Sequence, residues 1–257
     1  MEIVVDIGNS NVVFGFYDDS KWVHQMRFKT KKDGNANIFY DLKIRENLLD
    51  SNLVIDNITG IYLSSVVPDL TNELSAVVSN TFDHDVVIIN PAEFKQLKLS
   101  IDNPSEIGND LVANAVSAVS RYNKGCIVVD FGTALTFTVV TEAFEILGVA
   151  IAPGLKTSIS ALHIKTAQLP EVPLELPKTV IGKNTTHAIQ SGVLWGYIGL
   201  VKEMIIKISE EYEMDLLPVA TGGLSSVLLP LKELFFEIDD SLTLDGIRIM
   251  GRGIKRG

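Results

Sequence analysis

The sequence predicts an α/β fold built from two similar halves, and three observations support that prediction. Residues 3–8 (IVVDIG) return as residues 127–132 (IVVDFG), with agreement at five of six positions. Each copy joins a β-branched run through a glycine turn to a second apolar run, which is the pattern of a β-hairpin. The rest of the chain alternates short apolar runs with amphipathic segments, which favours strands alternating with helices.

The first half is predicted to continue from its hairpin into alternating helices and strands. Residues 12–17 supply the second strand of the hairpin. The apolar pattern then predicts a helix over residues 41–49, a strand over 58–67, a helix over 70–82 and a strand over 86–89. Pro68 and Pro91 end the two strands, because proline has no backbone N–H to donate to a sheet. After a loop at residues 103–104, apolar residues recur at helical spacing over residues 111–122.

The second half repeats this plan after its own hairpin, residues 127–132 and 136–140. Further along, the pattern predicts a loop over the proline-rich residues 169–177, helices over 157–162 and 186–206, and a short strand over 216–220. The boundary between the halves is predicted near residues 103–109. We therefore expect a first domain over residues 1–108 and a second over residues 109–257.

Composition and charge narrow the classes of function. A chain of 257 residues, 46% apolar and 21% charged, has the composition of a folded protein. Its net charge of −10 disfavours non-specific nucleic-acid binding. Cys126 is the only cysteine, which excludes an internal disulfide and a CxxC pair. Neither a signal peptide nor an apolar run of about 20 residues is present, so we expect a cytoplasmic protein without membrane association.

Common catalytic signatures are absent from the sequence. It contains no GxxxxGK[ST] or GxGxxG nucleotide motif, no HExxH zinc motif and no GxSxG nucleophile motif. The sequence therefore disfavours P-loop enzymes, zinc enzymes and serine hydrolases.

Three glycine turns, each after an apolar run, are the strongest functional signal: residues 6–11 (DIGNSN), 130–135 (DFGTAL) and 220–225 (ATGGLS). Successive backbone N–H groups in a tight turn form an anion-binding site, and glycine lets the backbone approach a ligand closely. A carboxylate beside a phosphate requires a cation between them, so Asp6 and Asp130 indicate a metal held directly or through water. A single Asp-x-Gly turn usually only closes a hairpin. Its repetition in a duplicated pattern favours a phosphate site.

Together with other short motifs, these turns resemble one known family. The motifs are DIGNSN (residues 6–11), SSVVP (64–68), NPSEIGND (103–110), DFGTA (130–134), PG (153–154), TAQLP (166–170), IGKNT (181–185) and ATGG (220–223). In this order, they resemble type III pantothenate kinases, of the acetate-kinase, sugar-kinase, Hsp70 and actin superfamily. The resemblance implies two tandem RNase H-like (actin/Hsp70-like) domains with a nucleotide cleft between them, and a homodimer. It also implies ATP-dependent phosphorylation of pantothenate to 4′-phosphopantothenate, the first step of coenzyme A biosynthesis, with Mg²⁺ and a monovalent cation, K⁺ or NH₄⁺.

The resemblance also implies roles for individual positions. Asp110 matches the general base, Asp130 matches the ligand of the monovalent cation, and Asp6 lies where Mg²⁺ would bind directly or through water. The phosphates of ATP would contact Asp6, Ile7, Gly8, Asn9, Ser10, Asn11, Val12, Val13, Gly132 and Thr133. Adenosine would lie beside Gly222 and Gly223. Pantothenate would contact Gly108, Asn109, Asp110, Leu111 and Thr185.

The residues around Asp110 leave alternatives open. Asp110 also suits the N-cap of the helix predicted to begin at Leu111, and one carboxylate can serve in both roles. Three positions depart from the family pattern: Leu111 replaces an arginine that would pair with a carboxylate, Leu135 replaces a threonine, and Val149 replaces a glycine. These departures keep two alternatives open, a kinase for another small hydroxyl acceptor and a catalytically weak nucleotide-binding regulatory protein.

Overall fold

The computed structural model describes residues 1–51, 53–55, 57–223 and 229–256, and the chain forms two compact units. The first unit contains Met1–Leu97, Asn103–Ser117 and Leu242–Gly257, and the second contains Lys98–Asp102 and Ala118–Ser241. The domain division predicted between residues 108 and 109 stays a prediction. By its contacts, the chain groups residues 109–117 and the C-terminal segment with the first unit.

Strands and helices alternate along the described residues. The strands are β1 (Glu2–Ile7), β2 (Asn11–Asp18), β3 (Lys21–Lys29), β4 (Gly60–Ser65), β5 (Val86–Ile88), β6 (Lys98–Leu99), β7 (Cys126–Phe131), β8 (Ala134–Val140), β9 (Glu145–Pro153), β10 (Leu217–Thr221) and β11 (Glu237–Ile238). The helices are α1 (Ala36–Ser51), α2 (Pro68–Phe82), α3 (Asn109–Tyr122), α4 (Leu155–Lys165), α5 (Thr185–Tyr212) and α6 (Leu242–Arg256). Short 3-10 turns cover Pro91–Glu93, Pro104–Glu106 and Leu229–Leu234.

The two units contain sheets of the same plan. The first sheet has the order β3-β2-β1-β4-β5, in which β1, β2 and β3 are antiparallel neighbours and β4 and β5 run parallel to β1. The second has the order β11-β10-β7-β8-β9-β6, so that β9-β8-β7-β10-β11 repeats the order and strand directions of the first. This order is that of an RNase H-like sheet. The fold predicted from the sequence, α/β with two RNase H-like halves, is confirmed.

Each sheet has its own hydrophobic core. In the first unit, Val5 and Phe14 from the sheet pack with Tyr40 of α1 and Leu74 of α2, all fully buried. In the second, the sheet packs against α5, whose buried face includes Leu194 and Val201. Buried β-branched and aromatic residues on the strands, and apolar residues at helical spacing, supply most of the stabilisation by removing apolar surface from water.

Local sequence explains where helices near the site begin. Strand β4 ends at Ser65, before the proline predicted to end it, and Pro68 instead starts α2, where proline's missing N–H has no helical partner to lose. Asn184 caps α5 by accepting a hydrogen bond from the backbone N–H of His187 at 2.9 Å. In both cases the helix begins at a residue whose chemistry favours a first turn.

Most predicted elements are confirmed, with shifted ends, and three sizeable elements were not predicted. Helix α6 was missed because Gly246, Gly251 and Gly253 interrupt its helix-forming residues. A Cβ on Gly246 would collide with the backbone of Ala113, and one on Gly251 with the ring of Tyr62, so these glycines permit close packing of α6. Strand β3 was missed because polar and charged residues interrupt its apolar ones, and β9 was missed although residues 146–152 are largely apolar. In the described part of the chain, no helix is long and apolar enough to cross a membrane.

Candidate functional site

The first turn, residues 8–10, joins β1 to β2 at the carboxyl end of β1. It closes through a hydrogen bond from the backbone N–H of Gly8 to the carbonyl of Asn11, at 2.9 Å. Asp6, one residue from the end of β1, is half-buried in a strand that is otherwise buried. Asp6 thus precedes by two residues a turn whose backbone, with the side chains of Asn9 and Ser10, offers hydrogen-bond donors.

A segment that follows β3 closes over the first turn. Thr30 donates its hydroxyl to the carbonyl of Gly8 at 2.6 Å, and its backbone N–H to the carbonyl of Ser10 at 3.0 Å. Two residues further on, the Lys32 ammonium donates to Oδ1 of Asn9 at 3.2 Å. From sequence alone, residues 29–32 (KTKK) are typical of a charged surface turn that attracts an anionic nucleotide only weakly. The direct approach of Thr30 and Lys32 to the turn depends on the length of β3.

The N-terminal end of helix α3 lies at the edge of the first sheet that also carries the glycine turn of residues 8–10. In the parallel pair β1–β4, Ile7 is opposite Ser65. The side-chain amide of Asn109 donates to the carbonyl of Ser65, the last residue of β4, at 3.3 Å, and to that of Ile89, just after β5, at 3.4 Å. These bonds fix the start of α3 over the carboxyl ends of the parallel strands. Asp110, the next residue, is thereby placed at the edge from which the first turn projects.

Burial raises the pKa of the Asp110 carboxyl above its usual range, while a hydrogen bond from the backbone N–H of Leu111, at 2.9 Å, opposes that rise. The prediction that Asp110 is the N-cap of a helix beginning at Leu111 is wrong, because α3 begins at Asn109 and Asp110 lies inside its first turn, where its carboxylate accepts from the next residue. A carboxylate with a raised pKa is a better proton acceptor, and the start of a helix favours its anionic form. A Cβ on Gly108 would collide with the Asp110 carboxylate, so that glycine makes room for it.

The second turn, residues 132–133, joins β7 to β8 in the second unit. It closes through the backbone N–H of Gly132, which donates to the carbonyl of Ala134 at 3.0 Å. Two bonds reach the carbonyl of Thr133: one from the backbone N–H of Gly154 at 3.0 Å, the other from the Thr157 hydroxyl at 2.7 Å. The second turn is thus held by the segment that follows β9, as the first is held by the segment that follows β3.

Asp130 has the same place in β7 as Asp6 has in β1, and the burial patterns of the two strands are identical. In the parallel pair β7–β10, Asp130 is opposite Thr221. Gly222 follows with φ +94°, and a Cβ there would lie 2.5 Å from Oδ1 of Asp130. Only glycine suits this position, since it adopts the positive φ and leaves space at the carboxylate. Gly222 therefore belongs with Asp130 and Gly132 in one group.

The remaining predicted residues lie in several places. Gly223 is exposed directly after Gly222, and Leu224 and Ser225 of the third turn lie outside the described residues. Thr185 is the exposed first residue of α5, in the second unit. Leu111 and Leu135, the two replacements for polar residues, are both buried. The structure thus assembles one group of predicted residues in each unit, around the first turn and around the second.

Comparison with known proteins identifies the family. The family model for type III pantothenate kinases matches residues 2–207, most of the chain. The chain belongs to the type III pantothenate kinase family. A type III pantothenate kinase of Geotalea daltonii is 36% identical over 250 residues, covering 97% of both chains. One of Citrifermentans bemidjiense is 37% identical over 254 residues, covering 97% of this chain and 98% of the relative.

Solved structures of other proteins have a fold similar to that of this chain. A conserved Baf family protein from Campylobacter jejuni has a TM-score of 0.60 at 18% identity, covering 99% of this chain and 100% of the other. The activator of 2-hydroxyisocaproyl-CoA dehydratase from Clostridium difficile has a TM-score of 0.53 at 10% identity, covering 99% and 96%. At such identities the likeness concerns the fold alone.

Proposed function

We propose that this chain transfers the γ-phosphoryl group of ATP to a hydroxyl of pantothenate, giving 4′-phosphopantothenate and ADP in the first step of coenzyme A biosynthesis. The observation that carries the proposal is membership of the type III pantothenate kinase family over residues 2–207. The geometry supports a phosphoryl donor, because two sheets of the same plan each end in a glycine turn beside a carboxylate.

Asp110 acts as the general base in this proposal. Its carboxylate accepts the proton of the pantothenate hydroxyl while that oxygen attacks the γ-phosphorus and the bond from phosphorus to the β,γ-bridging oxygen breaks. The raised pKa of Asp110 supports this role, because a more basic carboxylate takes the proton more readily. Gly108, Asn109, Leu111 and Thr185 complete the proposed pantothenate site.

Backbone and side-chain donors of the two turns hold the nucleotide. The phosphates lie against residues 6–13 and against Gly132 and Thr133, and the adenosine lies beside Gly222 and Gly223. The hydrogen bonds at Gly8, Ser10 and Thr133 support this assignment, since they hold both turns in one conformation before any nucleotide arrives.

The carboxylates suit the cations that such a kinase uses. Among the described residues, no group of three or more His, Cys, Asp or Glu side chains forms a metal cage. Mg²⁺ commonly binds through one or two carboxylates with nucleotide phosphates and water, so Asp6 suffices to orient it, directly or through water. Asp130, with the glycine backbone of Gly222 and Gly132 beside it, would hold the monovalent cation, K⁺ or NH₄⁺. When bound, these cations neutralise the phosphate charge.

Leu111 favours a second candidate, phosphorylation of another small hydroxyl acceptor. The side chain is buried and apolar where the family pattern has an arginine, so it offers no donor to a carboxylate on the acceptor. An acceptor without a carboxylate would lose nothing at this position. The two candidates therefore differ in the acceptor and share the donor, the base and the cations.

ADP release from purified protein tests both candidates. The assay contains ATP, Mg²⁺ and K⁺, with pantothenate, with its uncharged alcohol analogue pantothenol, or with no acceptor. We expect release that depends on pantothenate, and faster release with pantothenol would favour the second candidate. ATP binding without acceptor-dependent release would contradict both and favour a regulatory nucleotide-binding protein. Replacement of K⁺ by Na⁺ in the same assay tests the monovalent cation.

We also propose a homodimer in the cytoplasm. The second unit exposes large apolar side chains at Ile151, Ile164 and Ile181, which are 69%, 74% and 79% exposed. Burial of such residues against a second copy would remove apolar surface from water. A cytoplasmic location agrees with the use of ATP and with a lone, buried cysteine. Sedimentation or light scattering measures the oligomeric state directly.

A further inference from the structure

Two hydrogen bonds from one residue, Thr30, attach the segment after β3 to the first turn. Thr30 makes two hydrogen bonds to it, through its hydroxyl to Gly8 and through its backbone N–H to Ser10. With both groups engaged, the path of the chain just after Thr30 is fixed relative to the turn. The position of Lys32, two residues later, follows from that path.

Lys32 contacts a side chain to which the proposed function assigns phosphate binding. Its ammonium lies 3.2 Å from Oδ1 of Asn9. Because Lys32 occupies the amide oxygen of Asn9, the amide nitrogen, with its two N–H donors, is left to face other groups. Lys32 therefore sets Asn9 up as a donor and brings a positive charge to within one side chain of the turn.

The charge around the first turn calls for a cation of this kind. Residues 6–13 include Asp6 and contain no Lys or Arg, so the segment itself is negative. Lys32 is exposed, and no carboxylate of the described residues lies within 4.0 Å of its ammonium. We propose that Lys32 binds the phosphates of ATP at the first turn, an inference that rests on the proposed kinase function. The ammonium has three N–H donors, so it can keep its contact with the Asn9 amide and add a stronger one with an anion.

Lys31 provides a matched control in the neighbouring position. Its ammonium pairs with Asp33 at 3.3 Å and lies over the ring of Phe39 at 5.0 Å from the centroid. It thus has the same charge and nearly the same place in sequence, but its contacts are with an acid and an aromatic ring. Of these two lysines, Lys32 is the one whose side chain has a hydrogen bond to the turn in the described residues.

The experiment measures the dissociation constant of Mg·ATP by calorimetric titration without pantothenate, for wild type, Lys32→Gln, Lys32→Arg and Lys31→Gln. We expect Lys32→Gln to bind ATP about tenfold more weakly at low salt, Lys31→Gln to stay within about twofold of wild type, and Lys32→Arg to recover most of the affinity. The difference between wild type and Lys32→Gln should shrink as salt is raised, because an exposed charge is screened. A merely structural contact would not respond to salt in this way.

The possible outcomes distinguish a failure of the Lys32 proposal from a failure of the proposed kinase function. Equal affinities for wild type and Lys32→Gln, or equal losses in Lys32→Gln and Lys31→Gln, would overturn the role of Lys32. Pantothenate-dependent ADP release by the wild type in the assay above would still support the kinase in that case. Conversely, ATP binding that depends on Lys32 without any acceptor-dependent release would uphold the phosphate contact and overturn the kinase. A wild type that binds no ATP would overturn both.

Discussion

The first and second turns occupy the same place in two sheets of the same strand order, and the same pair of hydrogen bonds restrains them. In each unit a threonine hydroxyl and a backbone N–H, both from the segment after the third strand, reach carbonyls of the turn. The threonine lies 22 residues after the turn residue it contacts in the first unit and 24 residues after it in the second. The duplicated architecture thus includes the restraint as well as the strands.

What differs is the way in which the segment approaches its turn. In the first unit Thr30 supplies both bonds, and the segment then brings Lys32 to Asn9. In the second, Gly154 passes so close to Gly132 and Thr133 that no Cβ fits, and Thr157 of α4 supplies the hydroxyl. The first arrangement adds a cation, while the second adds close backbone packing. One plan of restraint thus serves both turns, while the two units differ in the groups that the segment brings to the turn.

The largest expected effect distinguishes two helices: α3, which comes after β5 in the chain, and α6, which comes after β11. Each has an aspartate in its first turn, Asp110 in α3 and Asp245 in α6. Asp110→Asn should lower kcat by about 10³-fold, because an amide cannot accept the proton, while Oδ1 of the asparagine still accepts the Leu111 N–H. Steady-state kinetics with pantothenate measure this effect, and unchanged turnover would remove Asp110 from the mechanism.

Asp245→Asn is the control for that substitution. Asp245 pairs with Arg248 at 3.1 Å, and their side chains are only 8% and 11% exposed. Loss of the charge should cost roughly 2–3 kcal/mol of unfolding free energy, because buried Arg248 loses the nearer of its two carboxylates and keeps Glu2, at 3.7 Å. Turnover per folded molecule should stay near that of the wild type.

The raised pKa of Asp110 also predicts a difference in pH dependence between the wild type and Asp110→Asn. In the wild type, kcat/KM should fall as pH is lowered through the pKa of Asp110, which burial raises above its usual range. Because the folded state binds this proton more readily than the unfolded state, wild-type stability decreases as pH rises from the unfolded-state pKa through the folded-state pKa. Asp110→Asn lacks this group, so its stability relative to wild type should grow over that interval. Denaturant unfolding at several pH values tests the sign.

The second expected effect compares Gly154, which packs against the second turn, with Gly8, which belongs to the first. Gly154→Ala should destabilise the protein by about 2–3 kcal/mol, since its Cβ meets the backbone of Gly132 and Thr133, which has no room to move. Gly8→Ala should cost less than about 1 kcal/mol, because its Cβ meets only the carbonyl of Asn11, at 3.1 Å. Chemical denaturation compares them. Equal losses would mean that the second turn yields as easily as the first.

Sequence patterns predicted the parts of the fold that depend on local chemistry. The two hairpins followed from β-branched runs around glycine turns, and the duplication followed from residues 3–8 and 127–132. Helix α6 escaped prediction because its glycines serve close packing, which only the assembled unit reveals. Edge strand β3 escaped because its residues face solvent in alternation and lack an apolar run.

The candidate site was predictable to a similar degree. The positions of Asp6 and Asp130 followed from the repeated turn, whereas the role of Asp110 came from the family resemblance and stays a prediction. The hydrogen bonds from Thr30 and Thr157 could not be predicted, because each joins residues more than 20 positions apart in sequence. Each forms only because β3 or β9 ends where it brings the threonine back to the turn. Such contacts are long-range consequences of strand length and register, which no local motif encodes.

The smallest expected effect compares those two threonines. Thr30→Val and Thr157→Val each remove one hydroxyl and keep the side-chain shape. The bond from Thr30 to Gly8 is partly buried, so its loss leaves a carbonyl poorly placed for water and should cost about 1 kcal/mol. The bond from Thr157 is exposed, and the Thr133 carbonyl keeps the Gly154 N–H, so water replaces the hydroxyl at a cost of a few tenths of a kcal/mol, about 0.3. Unfolding free energies give the order, and a larger loss in Thr157→Val would mean that the second turn depends on its threonine more than its geometry indicates. If instead Thr30→Val raises the KM for ATP while Thr157→Val does not, the restraint on the first turn serves to place Lys32 and Asn9, and the two units differ in ligand contact as their structures imply.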